Sequence, residues 1–475
     1  MMKLKIILLN LFALCIGGCC KNCIIHEKVS YPQQTRSGVK YINSLDDLSR
    51  LAWWKRLQDP ELNALVSQAL ACNNTIRSAY ATIDQAQAQL KAAQYAWIPT
   101  LDASANGFAG RTWNTHITPQ GQLANTTFFS NVSSLRFRGY NAGFVPSYTV
   151  NILNNISNVK SAKASLVIEK AQAQSVKLSI IGQMTGAYFM LLSQREQLLV
   201  QKNLIADLKK LRHLEFIRFK KGASNIETTN NLDQQIAQEE ATVPLIENVI
   251  AQSENTIHLL LNQNPGGIAT HRSLLSLNLN RMIPRVLPSS VLKNRPDIMI
   301  ALNNLKVAQA QIGVAYSAFF PSISLSGLLG GASVDLTNLL KLSTNLWIAQ
   351  AAASTKILNA SAYQKIKAAK AGFKATYYNY LEALHAAFAD VDNALTSEQK
   401  NYLSYLQFQR GYAAARNAYS IAFNQYKSGA KDYRNAMNAK VNLDQSKLNL
   451  IQAKAQLLDS MIQVYHAVAG GYDAA

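Results

Sequence analysis

One unit is written twice along this 475-residue chain, and that duplication restricts the fold more than any other feature. Ala86-Gln87-Ala88-Gln89, Ala93, Ala96 and Pro99 recur as Ala308-Gln309-Ala310-Gln311, Ala315, Ala318 and Pro321, at a constant spacing of 222 residues. Phe219-Lys220-Lys221-Gly222-Ala223 is echoed by Tyr426-Lys427-Ser428-Gly429-Ala430, 207 residues further on. Each unit opens with an Ala/Gln-rich stretch, which predicts a helix stopped at Pro99 or Pro321. The period then changes to two. Leu101, Ala103 and Ala105 alternate with Asp102, Ser104 and Asn106, and Ile323, Leu325 and Gly327 alternate with Ser322, Ser324 and Ser326. Such alternation predicts a strand with one apolar and one wet face. Return strands are expected over 144–152 and near 344–355, giving hairpins at about 100–153 and 321–356. The Gly/Ser/Asn-rich stretch from Gly110 to Arg138 reads as a long loop inside the first hairpin.

No proline occurs between Asn151 and Gly222 or between Ile357 and Gly429. Each stretch predicts a helix of roughly 105 Å at 1.5 Å per residue, far longer than usual. Tyr377, Leu381, Leu384, Phe388, Val391, Leu395, Tyr402 and Tyr405 follow a three-four rhythm, with Glu398 the one polar member. Ile181, Met184, Tyr188, Leu191, Leu198 and Ile205 do so less cleanly. Seams of this kind mean helices packed along their length. Gly222 and Gly429 mark the far turns, from which return helices run to Asn264-Pro265-Gly266-Gly267 and to Gly470-Gly471. The expected fold class is mainly α with a transmembrane β part. Beyond the first twenty residues no run of about 18 apolar residues exists, so any crossing must use a closed barrel. Four strands cannot close one, since the smallest known have about eight. Copies of the chain must therefore share a wall.

The start of the chain carries an address. Lys3 and Lys5 precede an apolar run from Ile6 to Ile16, and Ile16-Gly17-Gly18 leads to Cys19. This reads as a signal peptide over 1–18. Cys19 resembles the acylated cysteine of a bacterial lipobox, better than Cys15 or Cys20, and three acyl chains would anchor it firmly. Residues 19–50 read as a tether. Cys20 and Cys23 form a bland C-x-x-C in that tether, and only Cys72 follows, so no disulfide framework is expected. The net charge of +20 is spread along the chain rather than gathered in a nucleic-acid motif. Anionic lipid, an acidic partner, anionic cargo or a merely solvated surface would each account for it. Lys367, Lys370 and Lys374, at helical spacing after the second hairpin, pose the same choice. Seven scattered histidines, with no H-E-x-x-H, G-x-S-x-G or phosphate loop, argue against an enzyme. No metal or catalytic residue is expected.

Further residues carry a family likeness. Trp54, Asp59-Pro60-Glu61-Leu62 and Leu65 come first, with Ala69-Leu70 and Asn73-Asn74 behind them. Next are Leu287-Pro288-Ser289-Ser290-Val291-Leu292 and Arg295-Pro296-Asp297-Ile298. Ile312-Gly313-Val314-Ala315, Phe320-Pro321-Ser322-Ile323 and Asp390-Val391-Asp392 complete the set. Together these resemble the TolC/OprM-type outer-membrane factors, in particular the NodT-like efflux lipoproteins. The resemblance implies a homotrimer with a twelve-stranded barrel in the outer membrane and a helical tunnel in the periplasm. It divides the mature chain into a first repeat over 51–265, a linker and equatorial segment over 266–288, and a second repeat over 289–475. It implies a passive exit duct for drugs or small molecules, powered by an inner-membrane RND or ABC transporter. A periplasmic adaptor would grip the turns at Gly222 and Gly429, with Lys220 and Lys427 beside them. A protein-secretion duct of type I and a non-conducting lipid-anchored scaffold are the alternatives. No cofactor is implied beyond lipid on Cys19. The signature Arg295-Pro296-Asp297 reads as a helix start, with Pro at the first position and Asp at the positive end.

The chain departs from the family pattern in three places. Asn151-Ile152-Leu153-Asn154-Asn155 and Lys356-Ile357-Leu358-Asn359 replace the usual hairpin exits. Where the family often carries carboxylates at its narrow periplasmic mouth, this chain has Asn435 and Asn438, with Asn231 as the first-half counterpart of Asn438. Rings of Asp or Glu select cations, and amides carry no charge. Single-channel reversal potentials under a salt gradient should therefore show weaker cation preference than in acidic-mouthed relatives; strong cation selectivity would contradict the assignment.

Overall fold

The computed structural model describes residues 40–42, 52–113, 134–277, 286–288, 295–339, 341, 345–356, 358–469 and 471–472. Helices α1 (Pro60–Cys72) and α2 (Asn74–Tyr95) lead into strands β2 (Thr100–Trp113) and β3 (Ser134–Val150). The long helix α3 (Ile152–Lys220) and its return α4 (Ile226–Leu260) close the first repeat. The second repeat follows the same order: α5 (Pro296–Ser317), β5 (Ser322–Ser333), β6 (Asn345–Ser354), α6 (Ala360–Lys427) and α7 (Tyr433–Ala467). Two short parallel strands, β1 (Lys40–Ile42) and β4 (Val286–Pro288), pair outside this plan.

The duplication is exact at the level of elements. α2 and α5 each have 22 residues, and α4 and α7 each have 35. The long helices differ by one, at 69 and 68. What differs is the hairpin. Strands of 14 and 17 residues build the first, and strands of 12 and 10 build the second. The expected loop from Gly110 to Arg138 is corrected accordingly: β2 runs on to Trp113 and β3 begins at Ser134. Arginines and glycines interrupt the alternation there, but backbone pairing of Trp113 with Ser134 holds the ladder. The prolines lie one residue ahead of their strands, while the helices end at Tyr95 and Ser317. A residue before proline avoids the α region, so the helix must stop earlier than the proline itself.

Both replaced hairpin exits have a local purpose. The Asn151 side chain accepts from Asn154 N at 3.1 Å, and the Asn359 side chain accepts from Ala362 N at 3.0 Å. Each thus caps a long helix, satisfying one of its orphan donors. Asn225 and Asp432 do the same for α4 and α7. Pro244 sits inside α4 without ending it.

The helices pack as a strip. α3 contacts α2 and α4 on one flank and α5 and α7 on the other, while α6 packs against α5 and α7. Most of the predicted seam residues are buried, Ile181, Met184, Tyr188 and Leu191 on α3 and Tyr377, Leu384, Val391 and Leu395 on α6, but the α6 seam does not extend to Tyr402, which is 39% exposed. Leu198 is only partly covered. Truncating a seam residue such as Leu191 to Ala is expected to cost about 2–5 kcal/mol. Desolvation holds the carboxyl of Glu398 above its usual range. Trp53 stacks on Tyr465 at 4.7 Å, and Tyr188 donates to the buried Asp59 at 2.9 Å. Asp59 also caps α1 through Glu61 N and Leu62 N.

The sheet has the order β2-β3-β5-β6, antiparallel throughout. At its centre β3 and β5 come very close. A Cβ on Gly143 would stand 2.5 Å from the Leu329 carbonyl oxygen, and one on Gly330 would meet that of Ala142. Overpacking at such a site costs about 1–3 kcal/mol. Gly330→Ala should reduce the yield of heat-resistant oligomer on a detergent gel, whereas Gly267→Ala, with nothing within 4 Å, should not.

Candidate functional site

The registered pairs sort the sheet into two faces. Leu101 pairs with Pro146, Ala103 with Phe144, Phe144 with Leu329, Tyr148 with Leu325, and Leu329 with Trp347. These share one apolar face on which Leu101 is 67% exposed and Trp347 77%. Asp102, Ser104, Asn141, Ser147, Ser324 and Gln350 lie on the other. Hydroxyls on that face meet across strands: Thr100 with Ser147 at 2.7 Å, and Thr149 with Ser324 at 3.4 Å. Phe108, Leu328 and Ile348 interrupt this polar face further from the helices, but a sheet greasy on one side and hydroxyl-lined over the nearer part of the other can divide lipid from water. No described helix is long and apolar enough to cross a membrane.

Below the sheet, the strip also has two faces. On one, a groove of about 680 Å³ runs between α3, α6 and α7, lined by Ser179, Gln183, Asp390, Asn393, Ser397 and Gln463 among others. On the opposite face of α3, α1 packs over Tyr188.

At the far end, Gly222 and Gly429 adopt φ of +71° and +74°, conformations in which a side chain would be strained. Ion pairs tie the two turns together. The buried Glu215 accepts from Ser224 Oγ at 2.8 Å and faces Arg434 at 3.5 Å, while Arg218 reaches Asp432 at 2.8 Å. Lys220 lies 4.7 Å from the centre of the Phe216 ring, and Lys427 4.9 Å from that of Phe423. The two turns therefore present the same lysine–aromatic pair. Asn231 and Asn438 occupy equivalent exposed positions near the starts of α4 and α7, and Asn435 is half-buried one turn earlier. Cys19, Cys20 and Cys23 lie outside the described residues, as do Ser289 to Asn294.

The signature Arg295-Pro296-Asp297 does start a helix, with Pro296 at its first position. Arg295 also acts as a tie. It is buried and donates to the carbonyls of Ala467 (2.8 Å) and Ala387 (3.4 Å) and to the carboxylates of Asp297 (2.7 Å) and Asp390 (3.1 Å). One guanidinium thus pins α5 to α6 and α7, which its sequence position alone did not reveal.

Lys454 belongs to none of the motifs above. It is 2% exposed and donates to the carbonyls of Leu275 and Leu277 at 2.8 and 2.7 Å. It fastens the linker to the helical wall, and Arg195 does likewise through Ile268, Thr270 and Glu254. A local signal was available, since Leu450, Ile451, Leu457 and Leu458 flank Lys454 at helical spacing and put it on the apolar stripe of α7.

Comparison with known proteins agrees with this geometry. The profile described as "Outer membrane efflux protein" matches residues 65–263 and 287–470, one block per repeat. The cation efflux system protein CusC of Escherichia coli K12 is 26% identical over 378 residues, covering 77% of this chain and 79% of its own length. The solvent efflux pump outer membrane protein SrpC of Pseudomonas putida is 26% identical, with 82% of each chain covered. The probable outer membrane lipoprotein SilC of Salmonella typhimurium is 25% identical, covering 86% of this chain and 87% of its own. Among solved structures, the Campylobacter jejuni CmeC outer membrane channel superimposes with a TM-score of 0.80 at 23% identity, over 95% of both chains.

Burial lowers the Lys454 ammonium to about 8 from its ordinary 10.5. The unfolded chain then holds a proton that the folded chain has released between those values, so stability rises with pH across that window and is lost as pH falls through about 8. Thermal melts followed by circular dichroism should show the wild type gaining on Lys454→Met between pH 8 and 10.5; parallel curves would refute the burial.

Proposed function

The chain belongs to the outer membrane efflux protein family, and on that premise we propose that three copies close a single wall around a passive exit duct for small molecules. The outer membrane is its place of work, and efflux is its activity. One observation carries the trimeric reading: the four-stranded sheet has a lipid-facing and a water-facing side, and β2 and β6 stand at its two ends. Backbone groups at those ends need partners in a bilayer. Joining β2 of one copy to β6 of the next is a head-to-tail contact that closes a ring. Three copies give twelve strands, the number the family likeness favours.

The duct needs no catalytic step. An inner-membrane transporter of RND or ABC type supplies the energy, and a periplasmic adaptor engages the turns around Gly222 and Gly429. Asn231, Asn435 and Asn438 line the mouth between those turns. Lipid on Cys19 holds the mature N-terminus at the membrane. Relatives named for cation, solvent and antibiotic efflux support small cargo over secreted protein. The two-faced sheet speaks against a non-conducting scaffold, which would have no use for a wet inner surface.

Full-length acylated protein should run as a trimer in detergent and form stepwise conductances in planar bilayers. A monomer that leaves bilayers silent would end the proposal. Deleting the gene should sensitise cells to drugs or dyes without emptying the medium of secreted proteins; the reverse pattern would favour the secretion reading.

A further inference from the structure

We infer that a lysine collar on the outer surface, just beneath the sheet, binds the anionic phospholipid headgroups of the membrane's periplasmic leaflet. The inference rests on the barrel proposed above and concerns which lipid surrounds it.

Charge is segregated along the chain around the sheet. No Asp or Glu occurs in residues 85–101, 103–168, 298–334 or 336–381, the stretches that enter and leave the four strands. In the helical parts of those stretches stand Lys91, Lys160, Lys163, Lys306, Lys365, Lys367, Lys370 and Lys374. Among the described residues no ion pair engages Lys91, Lys163 or Lys367, and all three are exposed. So one-signed a set of charges, with Lys91, Lys163 and Lys367 exposed, attracts anions from the surroundings.

Position selects the membrane. An exposed apolar and aromatic band marks the junction of helices and sheet: Tyr95, Trp97, Ile98, Phe319, Leu358 and Tyr363. Aromatic residues favour the headgroup level. Lys367 lies about 10 Å and Lys163 about 17 Å along their helices from the sheet, at 1.5 Å per residue. Both helices start at the sheet, and side chains tilt towards a helix's N-terminus, so these lysines lean up towards the membrane.

The side of the wall selects lipid over cargo. Around α6, the buried stripe runs through Ala362, Ile366, Tyr377, Leu384 and Val391. At about 100° per residue, Lys367, Lys370 and Lys374 fall on one flank of that stripe, and the groove residues Asp390, Asn393 and Ser397 fall on the other, together with Lys365, which is therefore not part of the collar. On α3 the same rotation puts Lys163, Lys170 and Lys177 on the face covered lower down by α1, opposite Ser179 and Gln183 of the groove. Lys177 leans over Tyr80 of α2 at 5.5 Å, and Lys91 follows Tyr80 by three turns on the same face. The collar therefore faces away from the polar groove.

Tryptophan quenching by brominated lipids tests this on the full acylated protein carrying Trp113→Phe at the far end of β2, because Trp97 and Trp347 then lie at and above the collar while Trp53 and Trp54 are buried elsewhere. With its lysines intact, this protein in low salt should prefer brominated phosphatidylglycerol over brominated phosphatidylcholine by about fivefold, the worth of roughly one lysine near a charged surface. The preference should vanish in high salt and in a variant carrying Lys91→Gln, Lys163→Gln, Lys367→Gln and Lys370→Gln, whose channel reversal potential stays unchanged. Equal quenching by both lipids with the lysines intact would overturn the collar while leaving the barrel standing. A full preference retained by the variant would overturn it too. So would a shifted reversal potential, which would place the lysines in the lumen. Absence of quenching by either lipid would instead sink the barrel itself.

Discussion

Backbone hydrogen bonding at the two ends of one sheet governs the molecule. β2 is paired with β3 along its whole length and β5 with β6 along nearly all of theirs, while β3 meets β5 over Tyr140–Phe144 and Ser147–Val150; the outer edges of β2 and β6 remain to be joined. Lipid offers those edges nothing, so the chain must meet a copy of itself edge to edge. The helices repeat the arrangement below. A linear strip with α2 and α4 at one end and α6 at the other has the same two open sides as the sheet above it. Closure of the barrel and closure of the tunnel are one event.

The duplication made most of this visible in the amino-acid sequence. Spacings of 222 and 207 residues predicted two units in the same order, and α2 and α5, α4 and α7, match to the residue. Alternation from Leu101 and Ile323 distinguishes the two strand faces in the sequence itself. Less was legible where side chains serve distant partners. Arg295 looks like a helix start because Pro296 follows it, and its bonds to Ala387 and Ala467 depend on where α6 and α7 end up. Lys454 lies on an apolar stripe between Leu450, Ile451, Leu457 and Leu458, but its acceptors lie some 180 residues away and no local pattern names them. The strand ends near Trp113 and Ser134 were hidden because paired backbone needs no alternation in the side chains.

Two kinds of glue share the work. Along the seams, apolar burial holds long helices together, and the small Ala residues let them approach. At the ends, where helices must start, stop or turn, single polar groups do the fixing. Asn151 and Asn359 cap, Arg295 ties three helices, and Glu215 links both distal turns through Ser224 and Arg434. The chain places its costly buried polar groups where geometry has to be unique and leaves the long runs between them to be merely well packed.

The unequal hairpins have a consequence for the rim. Strands of 14 and 17 residues alternate with strands of 12 and 10 around any ring built from this chain. The edge facing the medium is then crenellated, three tall merlons separated by three low gaps. The opposite mouth, built from matched turns, is close to sixfold. A ligand gripping the pore from outside would meet half as many equivalent footholds as one docking from below.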